Sequence, residues 1–105
     1  MIQRGDIRWF RFASPDKRRP VLVLGRNDSL AAMAQIPVVP LSTQARGLPW
    51  EVELTPEEGL PSRCVLTPEW IRSVDRALLG PWLGSLRAER WDEVRDAILL
   101  ALGFR

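Results

Sequence analysis

Apolar residues in the first two thirds of the chain occur in short runs separated by Pro, Gly, Asn and Asp. Runs of about four to eight residues, rich in Val, Ile, Leu and aromatic side chains, predict β-strands rather than helices. The expected strands cover residues 6–13, 20–24, 36–41, 50–54, 63–66 and 70–74, with one helical turn at 30–33. In the first strand, Ile7 and Trp9 share one face and Phe10 and Phe12 share the other.

Two of these runs predict more than a strand. The run from Pro20 to Leu24 is apolar without interruption, which is typical of a strand covered on both faces. Pro37 and Pro40 bracket Val38 and Val39, and proline cannot donate a hydrogen bond to a neighbouring strand. We therefore expect the strand at 36–41 to be short or to lie at a sheet edge.

The pattern changes to a helical period near the C-terminus. Trp91, Val94, Ile98 and Leu102 recur at three- and four-residue steps, and Gly103 is placed to end the helix. The pattern predicts a helix over residues 87–102. Together the elements predict one α+β domain over residues 1–105, mainly β, with a curled antiparallel sheet and a C-terminal helix.

Composition narrows the possible chemistry. The chain has no His and one Cys, which excludes a Ser-His-Asp triad, an HExxH zinc site and an internal disulfide. We expect no metal and no cofactor, and a single cysteine suits the reducing cytoplasm. No apolar run approaches the roughly 18 residues that a membrane span requires, so we expect no membrane association.

The net charge of +2 conceals an uneven distribution. Residues 1–49 carry eight cations against three acids, and residues 50–105 carry seven arginines against ten acids. A basic half favours an anionic partner, for which a polyanion that carries phosphate groups is the obvious candidate. An arginine bias spread over a solvated surface would give the same counts.

Three short segments have side chains suited to binding or catalysis. Each also has a plain structural interpretation, which is a solvated basic turn, a Ser/Thr turn or the charged rim of a strand. The segments are Asp16-Lys17-Arg18-Arg19-Pro20, Pro40-Leu41-Ser42-Thr43-Gln44 and Glu69-Trp70-Ile71-Arg72-Ser73-Val74-Asp75. The guanidinium of Arg19 suits a phosphate, and the hydroxyls of the second segment can donate to phosphate oxygens.

Taken in order, these segments resemble the MazF/PemK family of toxin endoribonucleases. The resemblance spans nearly the whole chain and is carried by Arg4-Gly5-Asp6-Ile7, Arg19-Pro20-Val21-Leu22-Val23-Leu24 with Asn27-Asp28, Val38-Val39-Pro40-Leu41-Ser42-Thr43-Gln44, Leu48-Pro49-Trp50-Glu51-Val52, Ile71-Arg72-Ser73-Val74-Asp75 and the tail with Leu83-Gly84 and Leu102-Gly103.

The resemblance implies a fold, an activity and partners. The fold is a small SH3-like or CcdB-like antiparallel barrel with a C-terminal helix. The activity is metal-independent cleavage of single-stranded RNA to 2′,3′-cyclic phosphate and 5′-hydroxyl ends. The protein is expected to act in the cytoplasm as a homodimer that a cognate MazE-like antitoxin neutralises.

The resemblance also assigns roles to individual residues. Arg19 takes the catalytic arginine role, and Ser42 occupies the position of the catalytic threonine, with Thr43 next to it as a substitute. Serine keeps the hydroxyl and loses the methyl group that stiffens a threonine rotamer. The remaining expected RNA contacts are Lys17, Arg18, Thr43, Gln44 and Glu69, of which Glu69 is a candidate general base or base-edge contact.

Other interpretations remain open at this point. The turn at 14–18 is several residues shorter than in typical family members, which predicts weaker or different sequence selectivity. A CcdB-like toxin that inhibits gyrase by binding it is one alternative, and a family member that binds RNA or antitoxin without cleaving is another. The five tryptophans are interpreted as core or interface side chains rather than as stacking surfaces.

Overall fold

The computed structural model describes residues 1–12 and 18–105. This part of the chain contains seven β-strands, two α-helices and four 3₁₀ turns. The strands are β1 Asp6–Arg11, β2 Arg18–Val23, β3 Gln35–Ser42, β4 Val52–Leu54, β5 Cys64–Leu66, β6 Arg72–Asp75 and β7 Leu79–Ser85. The helices are α1 Asn27–Leu30 and α2 Trp91–Ala101, and the turns are Pro56–Glu58, Pro68–Trp70, Arg76–Leu78 and Ala88–Arg90. The predicted class, α+β and mainly β with a C-terminal helix, is confirmed.

All pairings in the sheet are antiparallel, and β3 is the hub. The strand order is β4-β5-β3-β2-β1-β7, and β6 pairs with β3 as well. One side of β3 pairs with β2, with Leu22 opposite Val39. The other side pairs first with β6 and then with β5. Strand β3 therefore lies next to β2, which carries the basic segment, and next to β6, which carries the third candidate segment, and β3 itself ends in the hydroxyl segment.

The expectation that the proline-containing strand is short or at an edge is wrong. β3 has eight residues and pairs on both sides. The carbonyl of Pro40 accepts from the Thr67 amide at 2.9 Å. The Pro40 nitrogen therefore faces the gap along β3 between its pairing with β6 and its pairing with β5. The carbonyl of Pro37 accepts from the Leu24 amide, just beyond the last register pair with β2. Both prolines thus occupy places where the ladder requires no donor.

The two faces of the sheet carry separate cores, and β2 contributes to both. Val21, Leu22 and Val23 are each fully buried, as predicted for a strand covered on both faces. Leu22 packs in the core that contains Val94 and Ala97 of α2, whereas Val21 and Val23 pack in the core that contains Leu30 of α1.

Helix α2 differs from its prediction at both ends. It begins at Trp91, after the 3₁₀ turn Ala88–Arg90, and it ends at Ala101. Leu102 was expected to complete the apolar stripe, but it lies beyond the helix and is 43% exposed. The reason is that the chain turns at Gly103, whose φ is +86°, and the Phe104 amide donates back to the Leu99 carbonyl.

Two further elements depart from the predicted pattern. Strand β7 was not predicted, because its sequence LGPWLGS contains Gly and Pro, which are rare in strands. It forms because it is an edge strand that pairs with β1 through two register shifts. Trp70 was predicted to begin a strand, but it ends the 3₁₀ turn Pro68–Trp70, and β6 begins at Arg72.

The turn Pro56–Glu58 is held tightly against β7. Glu58 is 2% exposed, its side chain accepts from the Thr55 amide, and Arg87 Nε lies 3.2 Å from its Oε2. That contact is an ion pair, and Glu58 Oε2 accepts no hydrogen bond from the described residues. A Cβ at Gly59 would lie 2.2 Å from the Leu83 carbonyl oxygen, so the two backbones touch here.

No helix in the described part of the chain is long and apolar enough to cross a bilayer.

Candidate active site

Strand pairing brings the basic turn and the hydroxyl segment together. Strand β2 begins with Arg18-Arg19-Pro20, and β3 ends with Leu41-Ser42. Because the two strands are antiparallel, with Val21 opposite Pro40, the start of β2 lies beside the end of β3. Both line an open cleft of about 560 Å³. Its lining residues are Trp9, Arg18, Arg19, Pro20, Leu41, Ser42, Thr43, Gln44, Arg46, Pro61, Ser62, Cys64 and Trp70.

A second compartment continues from this cleft. It is lined by Phe12, Arg19, Pro40, Leu41, Trp70 and Arg72 and shares Arg19, Leu41 and Trp70 with the first. We call the first space the polar compartment and the second one the aromatic compartment. Arg19 therefore lies where the two meet.

The guanidinium of Arg19 is available to a ligand. The side chain is exposed, and no carboxylate in the described part of the chain forms an ion pair with it. Its position on β2 is set by pairing with Phe10 of β1. Because Pro20 follows, the Arg19 backbone is biased to the extended form that it adopts in the strand. The result is a permanently charged five-donor group on a rigid element.

Ser42 presents its hydroxyl at the end of β3. The hydroxyl oxygen accepts a hydrogen bond from the Gln44 backbone amide at 3.1 Å, which is the Ser/Thr turn that the sequence also allowed. The hydroxyl hydrogen takes no part in that bond and can be donated. The side chains of Thr43 and Gln44 follow in the same cleft and are exposed.

Charge in the cleft is of one sign. Four arginines line the two compartments, and no carboxylate does so among the described residues. Three of these guanidinium groups lie over aromatic rings, namely Arg18 over Trp9, Arg46 over Trp70 and Arg72 over Phe12, at 4.5, 4.5 and 5.4 Å. A concave surface with clustered positive charge attracts an anionic ligand and concentrates it locally.

Glu69 lies behind the cleft rather than on its wall. Its carboxylate accepts from the Trp50 indole N–H at 3.0 Å and from the Arg46 guanidinium. Burial acts to raise the pKa of the Glu69 carboxyl, but hydrogen bonds from its own backbone, Arg46 and Trp50 outweigh it and hold the pKa below its usual value. Glu69 is therefore ionised at neutral pH and already engaged, which suits a supporting residue better than a proton acceptor.

Cys64 forms part of the cleft floor. It is 3% exposed, and burial raises the pKa of its thiol above the ordinary value. The thiol is therefore protonated at neutral pH and is a poor nucleophile.

The structure brings together most, but not all, of the predicted site. Arg18, Arg19, Ser42, Thr43 and Gln44 share the polar compartment. Lys17 and most of the shortened turn lie outside the described residues.

Sequence reasoning missed the cleft positions of Trp9, Arg46 and Trp70. Trp70 is 49% exposed, which rules out a core position and leaves the interface position of that interpretation. The one available signal was that Trp70 adjoins the candidate residue Glu69. The contact between Arg46 and Glu69 joins residues 23 apart and has no local pattern.

The donor atoms around the cleft do not suit a metal ion. Among the described residues, no group of three or more His, Cys, Asp or Glu side chains is placed to hold one.

Comparison with protein families matches residues 3–102 to the model described as PemK-like, MazF-like toxin of type II toxin-antitoxin system. The chain belongs to this family. The resemblance inferred from the ordered sequence segments is thereby confirmed over almost the whole length of the chain.

Curated relatives of this MazF-like chain are named as endoribonucleases. Probable endoribonuclease MazF5 of Mycobacterium tuberculosis is 33% identical over 100 residues, covering 94% of this chain and 91% of the relative. Probable endoribonuclease MazF2 of the same organism is 33% identical over 103 residues, covering 97% and 99%.

Solved MazF structures share the fold. The Mycobacterium tuberculosis toxin MazF-mt6 superposes with a TM-score of 0.86 at 28% identity, covering 93% of this chain and 96% of that chain. The MazE-MazF crystal structure (Form-III) from Deinococcus radiodurans superposes with a TM-score of 0.80 at 27% identity, covering 97% and 96%. The expected SH3-like, CcdB-like barrel with a C-terminal helix is confirmed by this match.

Proposed function

We propose that this MazF-like chain is the toxin of a type II toxin-antitoxin system and cleaves single-stranded RNA without a metal ion. One observation carries the proposal. Arg19, which forms no ion pair with a carboxylate among the described residues, lies beside the Ser42 hydroxyl in a cleft lined by four arginines. Family membership and the endoribonuclease relatives support the same activity.

The proposed reaction is a transesterification within the RNA strand. The ribose 2′-oxygen forms a bond to the adjacent phosphorus and loses its proton, while the bond from phosphorus to the 5′-oxygen breaks and that oxygen gains a proton. The products are a 2′,3′-cyclic phosphate and a 5′-hydroxyl. Negative charge on the phosphoryl oxygens increases as the five-coordinate transition state forms.

Arg19 and Ser42 act on that charge in the proposed mechanism. Arg19 lies where the two compartments meet, so a phosphate bound there has room for a nucleotide on either side. Its guanidinium stabilises the transition state electrostatically, and the Ser42 hydroxyl donates to a phosphoryl oxygen. Neither Glu69, which is ionised and engaged, nor Cys64, which is protonated, is tuned for proton transfer at neutral pH. Electrostatic stabilisation is therefore the main source of rate acceleration in this proposal.

The remaining contacts extend from this pair. Arg18 binds the phosphate backbone, and Thr43 and Gln44 contact the nucleotide on the polar side, where Gln44 can read the edge of an unpaired base. Lys17, which lies outside the described residues, is proposed as a further phosphate contact. The partners proposed with this activity are single-stranded RNA, a second copy of the chain and a cognate MazE-like antitoxin, all in the cytoplasm.

The proposal is tested with purified protein, a long single-stranded RNA and EDTA. We expect cleavage to 2′,3′-cyclic phosphate ends by the wild type. Arg19→Ala should lower the rate by about 10²- to 10³-fold, as loss of a charge-stabilising donor does elsewhere, and Ser42→Ala should lower it less. Arg26→Ala is the matched control, because Arg26 is 81% exposed, pairs with Asp28 and does not line the cleft.

Three outcomes contradict the proposal in distinguishable ways. Full activity of Arg19→Ala would remove the assigned catalytic residue. RNA bound but left intact would indicate a binding-only family member. RNA neither bound nor cut, together with inhibition of gyrase supercoiling, would indicate the CcdB-like alternative.

A further inference from the structure

Trp70 separates the two compartments of the cleft. Its indole lines both of them and is 49% exposed. The guanidinium of Arg46 lies 4.5 Å from the ring centroid and lines only the polar compartment. Arg46 does not line the aromatic compartment, which Trp70 lines together with Phe12, so Trp70 borders a space that Arg46 does not enter.

A chain of contacts fixes Arg46 over the ring. Glu69 receives hydrogen bonds from Arg46 and from the Trp50 indole N–H at 3.0 Å. Glu51 accepts from the backbone amides of Arg46 and Gly47 at 2.9 and 3.0 Å, which anchors the loop that carries Arg46. Arg46 Nε also lies 3.8 Å from Glu51 Oε2.

These contacts compensate the positive charge of Arg46 with carboxylates of the protein itself. Two carboxylates face one guanidinium, so Arg46 adds little to the attraction of the cleft for a polyanion. Its remaining effect is to hold the planar guanidinium against the indole. An arginine held this way orders an otherwise exposed aromatic ring.

We propose that Trp70 is a stacking surface for an unpaired nucleobase, and that Glu69 and Arg46 are positioning residues that hold it in place. This inference rests on the proposed function, because it takes single-stranded RNA as the ligand. A nucleotide whose phosphate lies on Arg19 then has an adjacent base against Trp70 in the aromatic compartment. Base-aromatic stacking tolerates different sequences, because every base has a π-face.

The first test measures binding separately from cleavage. The probe is a single-stranded DNA copy of the RNA used in the cleavage assay, which cannot be cut because it lacks the 2′-hydroxyl. Trp70→Leu keeps an apolar side chain without a flat face and should weaken binding about tenfold. Trp70→Phe keeps a ring and should restore most of the affinity. Binding by Trp70→Leu within about twofold of wild type would overturn the stacking role.

The second test separates a positioning role for Glu69 from a catalytic one. Glu69→Gln keeps the shape and a carbonyl for the Trp50 N–H, but it loses the ion pair with Arg46. We expect KM for RNA to rise about fivefold or more, with kcat within about threefold of wild type and an unchanged pH profile. A general base would instead lower kcat by about 10²-fold and remove one limb of the pH-rate profile, and that result would overturn the assignment.

Control experiments distinguish a failure of the stacking role of Trp70 from a failure of the proposed RNA cleavage. Glu89→Gln is the matched acid, because Glu89 is 70% exposed in its side chain and lies outside both compartments. Wild-type protein that binds the DNA probe through Trp70 but does not cut RNA contradicts the proposed enzyme and leaves the stacking surface intact. Cleavage that is unaffected by Trp70→Leu contradicts the stacking surface and leaves the enzyme intact.

Discussion

The arginines of this cleft differ in whether a carboxylate compensates their charge. Arg19 has no carboxylate partner among the described residues. Arg72 is likewise exposed, forms no ion pair with a described carboxylate and lies over the Phe12 ring. Arg46, a few ångströms from Trp70, is instead held between Glu51 and Glu69. A count of arginines therefore overstates the charge that a nucleic acid meets, because only uncompensated guanidinium groups replace counterions on the phosphates.

This difference predicts the salt dependence of binding. Each phosphate contact on single-stranded nucleic acid contributes about 0.7 to the slope of log K against log salt. Arg19→Ala, which removes a proposed phosphate contact, should lower the magnitude of that slope by about this amount, whereas Arg46→Ala should weaken binding and leave the slope nearly unchanged. Titrations of the single-stranded DNA probe between about 50 and 200 mM salt measure both. Equal slope changes in the two variants would show that the charge of Arg46 is not compensated.

At the level of elements, local pattern predicted the strands that build the floor of the cleft. The apolar run in β2 and the polar residues that follow β3 were visible because each is a property of consecutive residues. For this reason the segments of Arg19 and Ser42 could each be singled out from the sequence, and the family resemblance then assigned both residues to one site. Strand β7 could not, because its Gly and Pro are tolerated only through its edge position beside β1. The contact of Glu69 with Arg46 was equally invisible, since it joins two loops.

Because the turn Pro56–Glu58 packs closely against β7, we expect the unfolding free energy to fall when Gly59 is replaced by a residue with a side chain. Gly59→Ala places a Cβ 2.2 Å from the Leu83 carbonyl oxygen at a residue with φ of +93°, and we expect a loss of about 3 kcal/mol or more in unfolding free energy. Gly103→Ala is the control, because its φ is +86° and nothing lies within 4 Å of the added Cβ. It should cost about 1 kcal/mol, from backbone strain alone. Urea denaturation measures both, and equal losses would mean that the backbones can separate at little cost.

At the scale of the whole molecule, β7 leaves apolar surface uncovered. Trp82 lies on this edge strand and is 58% exposed, and Leu78 just before it is 62% exposed. A chain of 105 residues buries only about 60 to 70% of its unfolded surface, so covering such side chains contributes usefully to stability. These observations agree with the homodimer that the family resemblance implies.

We therefore predict that the chain is a dimer and that β7 contributes to the interface. Sedimentation equilibrium at micromolar concentrations should give twice the chain mass of 12.0 kDa. Trp82→Glu places a charge on the exposed face of β7 and should shift the protein towards the monomer, while Arg105→Glu, a change of charge at the C-terminus, should not. A wild-type mass of one chain across the whole concentration range would contradict the prediction.

The pairing of the first strand with the last has a consequence during protein synthesis. β1 pairs with β7 as well as with β2, and Asp6 lies opposite Ser85, so the sheet is complete only after residue 85 has been made. Apart from Trp9 on β1, the described residues of the cleft lie on segments between these two strands, and a ribosome-bound chain that lacks β7 has an incomplete support for them. We therefore expect nuclease activity to appear only when each chain is nearly finished, so that the order of translation itself delays the toxin.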